Sequence, residues 1–154
     1  VRPAAMEGNY HDSLSENILL EILSKLTSVE GTYPLVVGRT QKDREFLIKH
    51  FDGRIHFLPE AVDGRQLIWS SDIFISGGGS MNREAALLGV PTYSIFTGRK
   101  PYLDEHLAGQ GRLTFIDTME KIDLLDVRKR DIPGSFSGGN PGLAGKVVDI
   151  ILSL

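Results

Sequence analysis

Between residues 71 and 91 the chain runs through Ile73-Phe74-Ile75-Ser76, then Gly77-Gly78-Gly79, then Ser80-Met81-Asn82-Arg83-Glu84. The pattern reads as a short buried strand, a glycine-rich turn, and the first turn of a helix. Consecutive glycines leave backbone N–H groups unshielded by side chains. A helix start directs its positive dipole end at the same place. Together they favour an anion, above all a phosphate, at Gly78, Gly79, Ser80, Met81 and Asn82. Glu84 falls about one helical turn further on, where a carboxylate can accept hydrogen bonds from sugar hydroxyls. The expected ligand is the diphosphate-and-ribose end of a nucleotide-sugar.

Each of these residues also has a bland use. Ser80 can be a helix N-cap, and an acid such as Glu84 suits any first helical turn. The turn is not a dinucleotide fingerprint, because Asn82 stands where the third glycine belongs. It is not a phosphate loop of the Gly-Lys-Ser/Thr kind either. Arg2 follows Val1, and Arg39 follows Leu35-Val36-Val37-Gly38; at strand exits both guanidinium groups could clamp a diphosphate bidentately. Arg99 and Lys100 carry less weight. His11, His50, His56 and His106 lack metal-ligand spacing, so no metal is expected, and His11 beside Asp12 is a weak catalytic candidate. The catalytic residues stay unassigned.

The elements that must position these residues follow from apolar spacing. Ser13 or Ser15 is expected to cap a helix whose stripe is Ile18, Leu19, Ile22, Leu23 and Leu26. Further helices are expected over 41–51, 65–69, 81–88 and 101–110, with Phe46, Leu47 and His50 or Phe51 inward on the first of them. Strands are expected over 34–38, 54–58, 72–75, 92–96 and 113–116, and Val1 reads as the end of one more. The strands are continuous apolar runs alternating with helices, the mark of a parallel sheet covered on both faces. The expected fold is α/β: one Rossmann-like three-layer α/β/α domain with a doubly wound parallel sheet of about six strands. Residues 118–126 read as a helix, 132–142 as a Pro/Gly/Ser-rich loop, and 143–154 as a closing amphipathic helix.

The 154 residues suffice for one domain with a core, and 41% hydrophobic with 24% charged is ordinary for a globular protein. A net charge of −3 without a basic face argues against nucleic-acid binding. Zero cysteines remove thiol nucleophiles and disulfides, in keeping with a cytoplasmic location. No apolar run approaches the ~20 residues of a membrane span. The opening Val1-Arg2-Pro3 reads as a strand end and its exit, so the chain is expected to be a piece of a longer two-domain protein.

The segment 72–91 resembles the strand–turn–helix in the C-terminal domain of GT-B-fold glycosyltransferases. It is also similar to that of the non-hydrolysing UDP-N-acetylglucosamine 2-epimerases. The run Gly-Gly-Ser-Met-Asn-Arg-Glu-Ala-Ala-Leu-Leu-Gly-Val-Pro at 78–91, with Arg2-Pro3 and Tyr10-His11, resembles a family of uncharacterised, mainly archaeal proteins described as predicted glycosyltransferases. The likeness covers nearly all of the chain and the second half of the family's length. It implies half of a GT-B fold over 1–154, a C-terminal domain that binds the nucleotide-diphosphate of a UDP-linked sugar donor and needs no cofactor. It implies Glu84 on the ribose, the turn 78–81 on the diphosphate, and the Leu58 backbone on the base. It also implies that the acceptor and much of the catalysis belong to an N-terminal domain, so the chain alone would be inactive. The epimerases carry a His-Arg-x-Glu-Asn-like run where this chain has Tyr10-His11-Asp12. A UDP-sugar epimerase-like enzyme remains an alternative. So does a non-catalytic receiver-like module, hinted at by Lys100-Pro101, although Arg2-Pro3 stands where a receiver's acidic pair belongs.

Overall fold

The computed structural model describes residues 1–4, 13–38, 40–131, 134, 136 and 142–153. Helices and strands alternate: α1 (Ser13–Ser28), β1 (Leu35–Val36), α2 (Gln41–Phe51), β2 (His56–Phe57), α3 (Gly64–Trp69), β3 (Phe74–Ser76), α4 (Ser80–Leu87), β4 (Thr92–Ser94), α5 (Tyr102–Gly109) and β5 (Thr114–Phe115). A 3-10 helix (Met119–Leu124) and α6 (Leu143–Leu152) follow. Helix starts have local causes. Thr40 and Asp43 form a reciprocal capping box before α2, and the Asp63 carboxylate accepts from the amides of Arg65 and Gln66 at the start of α3. Ser13 and Ser15 do not cap α1 as expected; both lie inside it, and Ser15 is buried.

All strand pairs are parallel. They form two sheets, β1–β2 and β3–β4–β5, rather than the single sheet of about six strands expected. The reason is the brevity of the segment between them. Val1 and Arg2 lie between β1 and β3, where a single bridge, Arg2 to Ser76, forms, one pair short of a ladder. The Val1 nitrogen donates to Leu35 O at 2.7 Å, and Val37 N donates to Val1 O at 2.9 Å. On the other side Arg2 N donates to Ile75 O at 2.8 Å, and Gly77 N donates to Arg2 O at 3.1 Å. The order across the molecule is therefore β2, β1, Val1–Arg2, β3, β4, β5. The chain turns in opposite directions on either side of Val1–Arg2, which is the doubly wound arrangement with its switch point there.

Neighbouring strand residues point to opposite faces, so Phe74 and Ile75 enter different clusters. Ile75 joins Ile95, Ile116 and Val36 against α1, α2 and the 3-10 helix. Phe74 packs with Ile68 of α3 and Ala85 of α4, and Ala86 of α4 meets Leu107 of α5. Helices thus cover both faces. On α2, Asp43, Leu47 and Phe51 are buried while His50 is exposed. The expected closing helix differs: on α6, Ile150 and Ile151 are each 62% exposed and Leu152 is 80% exposed. Most of the expected loop 132–142 lies outside the described residues.

One ion pair ties the second face together. Arg83 Nε on α4 donates to Asp104 Oδ1 on α5 at 2.6 Å, with Asp104 only 1% exposed. Removing one partner of such a pair strands the other charge. Asp104→Ala is expected to cost about 2 kcal/mol in urea unfolding, below the range for fully buried pairs because the Arg83 side chain keeps 32% exposure.

Candidate functional site

β3 ends at Ser76, and the three glycines that follow serve different ends. Gly77 is required by close approach: a Cβ there would lie 2.6 Å from Ala4 N and 2.7 Å from Ala4 Cβ. Gly78 and Gly79 are required by conformation, with φ of 99° and 101°. Two of the glycine amides are already used by the fold. Gly77 N donates to Arg2 O, and Gly78 N donates to Ser76 Oγ at 3.1 Å. The amides of Gly79, Ser80, Met81 and Asn82 are the four at the helix start. They precede the first intrahelical bond of α4, and no side chain caps them. The expected cap at Ser80 is absent: Gly79 holds the cap position, and Ser80 is the first helical residue. Gly79 and Ser80 are exposed.

Beside the turn, a cavity of about 540 Å³ opens at the carboxyl ends of β1 and β2. Arg2 and Met81 form the wall nearest the turn, and Arg2 Nη1 touches Met81 Sδ. Val37 and Gly38 enter from β1, and Phe57 and Leu58 from β2. Leu67 of α3 and Val62 add apolar surface. Of the residues expected at the site, Arg2, Leu58 and Met81 are therefore brought together. Gly78, Gly79, Ser80, Asn82 and Glu84 are not among the cavity walls. Glu84 stands half-buried on α4, a turn beyond the exposed amides. The Asn82 side chain is fully buried and accepts from Ser76 Oγ at 2.7 Å. Arg39, Tyr10 and His11 lie outside the described residues.

A charged cavity residue, Arg44, had no place in the sequence reading. Arg44, on the first turns of α2, holds its guanidinium 4.8 Å from the centre of the Phe57 ring. The signal was available only indirectly: the Thr40–Asp43 capping box starts α2 at the exit of β1, so its first turns must flank that exit. Lys100, by contrast, is engaged elsewhere. It pairs with Asp117 at 2.6 Å and lies over the Phe115 ring at 4.6 Å, while Lys121 also reaches Asp117 at 2.6 Å. Among the described residues no group of three or more His, Asp or Glu side chains could hold a metal ion, and no helix is long and apolar enough to cross a membrane.

The fold defines a Rossmann-like α/β unit in which an uncapped helix start after a glycine turn adjoins a cavity. Residues 1–130 match the family described as protein of unknown function, DUF354, and the chain belongs to that family. It is 35% identical over 63 residues to Uncharacterized protein MJ0665 of Methanocaldococcus jannaschii, an alignment covering 41% of this chain and 18% of that protein. The crystal structure of the UDP-GlcNAc 2-epimerase from the same organism, in complex with UDP-GlcNAc and UDP, shares the fold with a TM-score of 0.67 at 16% identity. It is matched over 99% of this chain and 44% of that one. A second structure of that epimerase gives a TM-score of 0.64 at 15% identity, over 99% and 45%. The chain thus spans less than half the length of these proteins.

Two expectations follow from this geometry. Gly77→Ala must push the Val1–Ala4 segment away from β3 and should cost about 1–3 kcal/mol in denaturant unfolding. The second concerns Asp117. Burial pushes its carboxyl up, but hydrogen bonds from Lys100 and Lys121 outweigh this and pull it from 3.8 down to about 2. A carboxyl lowered on folding stabilises the folded state above its unfolded value, and that stability is lost as pH falls towards the folded value. Between about pH 4 and pH 2, urea midpoints should fall less steeply for Asp117→Asn than for the unaltered protein.

Proposed function

We propose that this chain binds the nucleotide-diphosphate part of a sugar donor, as one half of a GT-B-like glycosyltransferase. The observation that carries the reading is the double position of Met81. Its amide is one of the first four at the start of α4, which have no acceptor within the helix and no side-chain cap, and its side chain forms the cavity wall with Arg2. A ligand seated with its phosphates on Gly79, Ser80 and Met81 has its nucleoside end directed at Leu58 and Phe57. Arg2 stands between the two ends, where a guanidinium meets a diphosphate. Glu84 follows on the same helix, within reach of a ribose.

In this reading the turn and Arg2 hold the leaving diphosphate. As the glycosyl bond breaks, negative charge grows on that group, and preoriented amides and a guanidinium stabilise it without reorganising. The likeness to a UDP-GlcNAc 2-epimerase supports a nucleotide-sugar ligand and also keeps a second reading, epimerisation of a UDP-sugar. The two differ in product. Incubation with a UDP-sugar, with and without an acceptor, yields free UDP only with acceptor in the first case and an isomeric UDP-sugar in the second.

Calorimetry of the protein with UDP and other nucleoside diphosphates tests the binding itself. UDP is expected to bind, and Glu84→Ala is expected to weaken UDP by about tenfold, near 1.4 kcal/mol, while leaving inorganic diphosphate unchanged. Silence towards every nucleoside diphosphate at millimolar concentration would end the proposal.

A further inference from the structure

Beneath the glycine turn lies a buried polar cluster that touches neither the cavity nor solvent. Ser76 ends β3 and Ser94 ends β4; the two are register partners on adjacent parallel strands, so their side chains share a face. Asn82 lies in the first turn of α4. All three are 0% exposed. Ser76 Oγ works in two directions: it donates its one proton to Asn82 Oδ1 at 2.7 Å, with Gly78 O the longer alternative at 3.4 Å, and accepts from Gly78 N at 3.1 Å. The hydroxyl is thereby a relay between a helix side chain and the turn backbone. Asn82 Nδ2 and Ser94 Oγ find no hydrogen-bond partner among the described residues. An amide with unpaired donors is a costly side chain for a sealed position, and simple packing does not call for one. The one bond Asn82 does make is the one that orients the Ser76 hydroxyl.

We propose that Asn82 is a positioning residue for the anion seat, acting through Ser76 and not by touching the ligand. With its proton held by Asn82, the Ser76 hydroxyl presents a lone pair to Gly78 N. That bond turns the Gly78 amide inward and holds the φ of 99°. The chain then leaves Gly78 in a fixed direction, and the amides of Gly79, Ser80 and Met81 face outward together. The Arg83–Asp104 pair anchors the same helical turn to α5, so α4 cannot follow a loosened turn. This inference rests on the reading of the turn as a diphosphate seat, but its structural half is measurable without a ligand.

The test combines amide hydrogen exchange by NMR on labelled protein with titration by inorganic diphosphate. In the unaltered protein the Gly78 amide should be protected and those of Gly79 and Ser80 should exchange fast. Asn82→Ala should speed Gly78 exchange at least tenfold while Ile75 and Ile95 keep their rates, and should weaken diphosphate at least tenfold. Asn82→Asp, which keeps an oxygen for Ser76 to donate to, should restore Gly78 protection. The Ser76→Ala/Asn82→Ala double variant should bind diphosphate no worse than either single variant, because both break one device. Unchanged Gly78 exchange in Asn82→Ala, or additive losses in the double variant, would overturn the proposal. Should Asn82→Ala fail to fold, Asn82→Asp decides: protected Gly78 supports the relay, and fast exchange at Gly78 with Ile75 still protected refutes it. If diphosphate does not bind the unaltered protein, the binding reading fails while the exchange result still decides the role of Asn82.

Discussion

Four backbone hydrogen bonds made by or to Val1 and Arg2 continue the sheet between its two parts, which also share one apolar core. They join β1 to β3 across a segment two residues long. Without them the β1–β2 pair and the β3–β4–β5 sheet would share helices but no ladder. The same two residues fix the switch point of the sheet, where helices pass from one face to the other. Gly77 is the counterpart of this arrangement: only a residue without Cβ lets the chain after Arg2 run so close to the end of β3. Fold and site thus meet at one spot, because the ladder that closes the sheet also brings Arg2 to the rim beside the turn.

The site is built largely from backbone. In the proposed reading its donors are amides at a helix start, its cation is carried by the two-residue segment Val1–Arg2, and its cavity is the space left where β1 and β2 end under α2 and α3. Such a site needs rigid support more than particular side chains on its surface. The support is visible: Ser76 and Asn82 below the turn, Arg83 and Asp104 beside it, and Ala85 and Ala86 packing α4 onto both neighbouring helices. Small residues on α4 let that helix lie close to the sheet, so its first turn stands directly over the strand exits.

Much of the fold was legible in the chain. The apolar runs at β1, β3 and β4 and the stripe Ile18–Ile22–Leu26 depend on local spacing, and the structure places them in the core. Caps were less legible. Ser13, Ser15 and Ser80 have the right chemistry for N-caps, yet each is helical, because neighbouring residues rather than propensity decide where the first helical bond closes. At the candidate site, Arg2, Leu58 and Met81 line one cavity, although Leu58 was expected there only through the family resemblance. Arg44 was missed, since nothing in a helical pattern says which of its cations will lie over a distant phenylalanine.

The sequence by itself determined the alternation of buried strands and amphipathic helices, the parallel doubly wound character, and the glycine turn that opens α4. These follow from periodicity and from the conformations that glycine alone adopts freely. Only the tertiary structure decided which amides of the turn the fold itself uses, that Asn82 faces inward, that Lys100 belongs to Asp117, and that the sheet is joined through Val1 and Arg2. Each of those outcomes depends on a partner that packing or strand pairing brings to the spot. A hydrogen-bonding group is defined by its neighbours in space, and the chain names its neighbours only along its length.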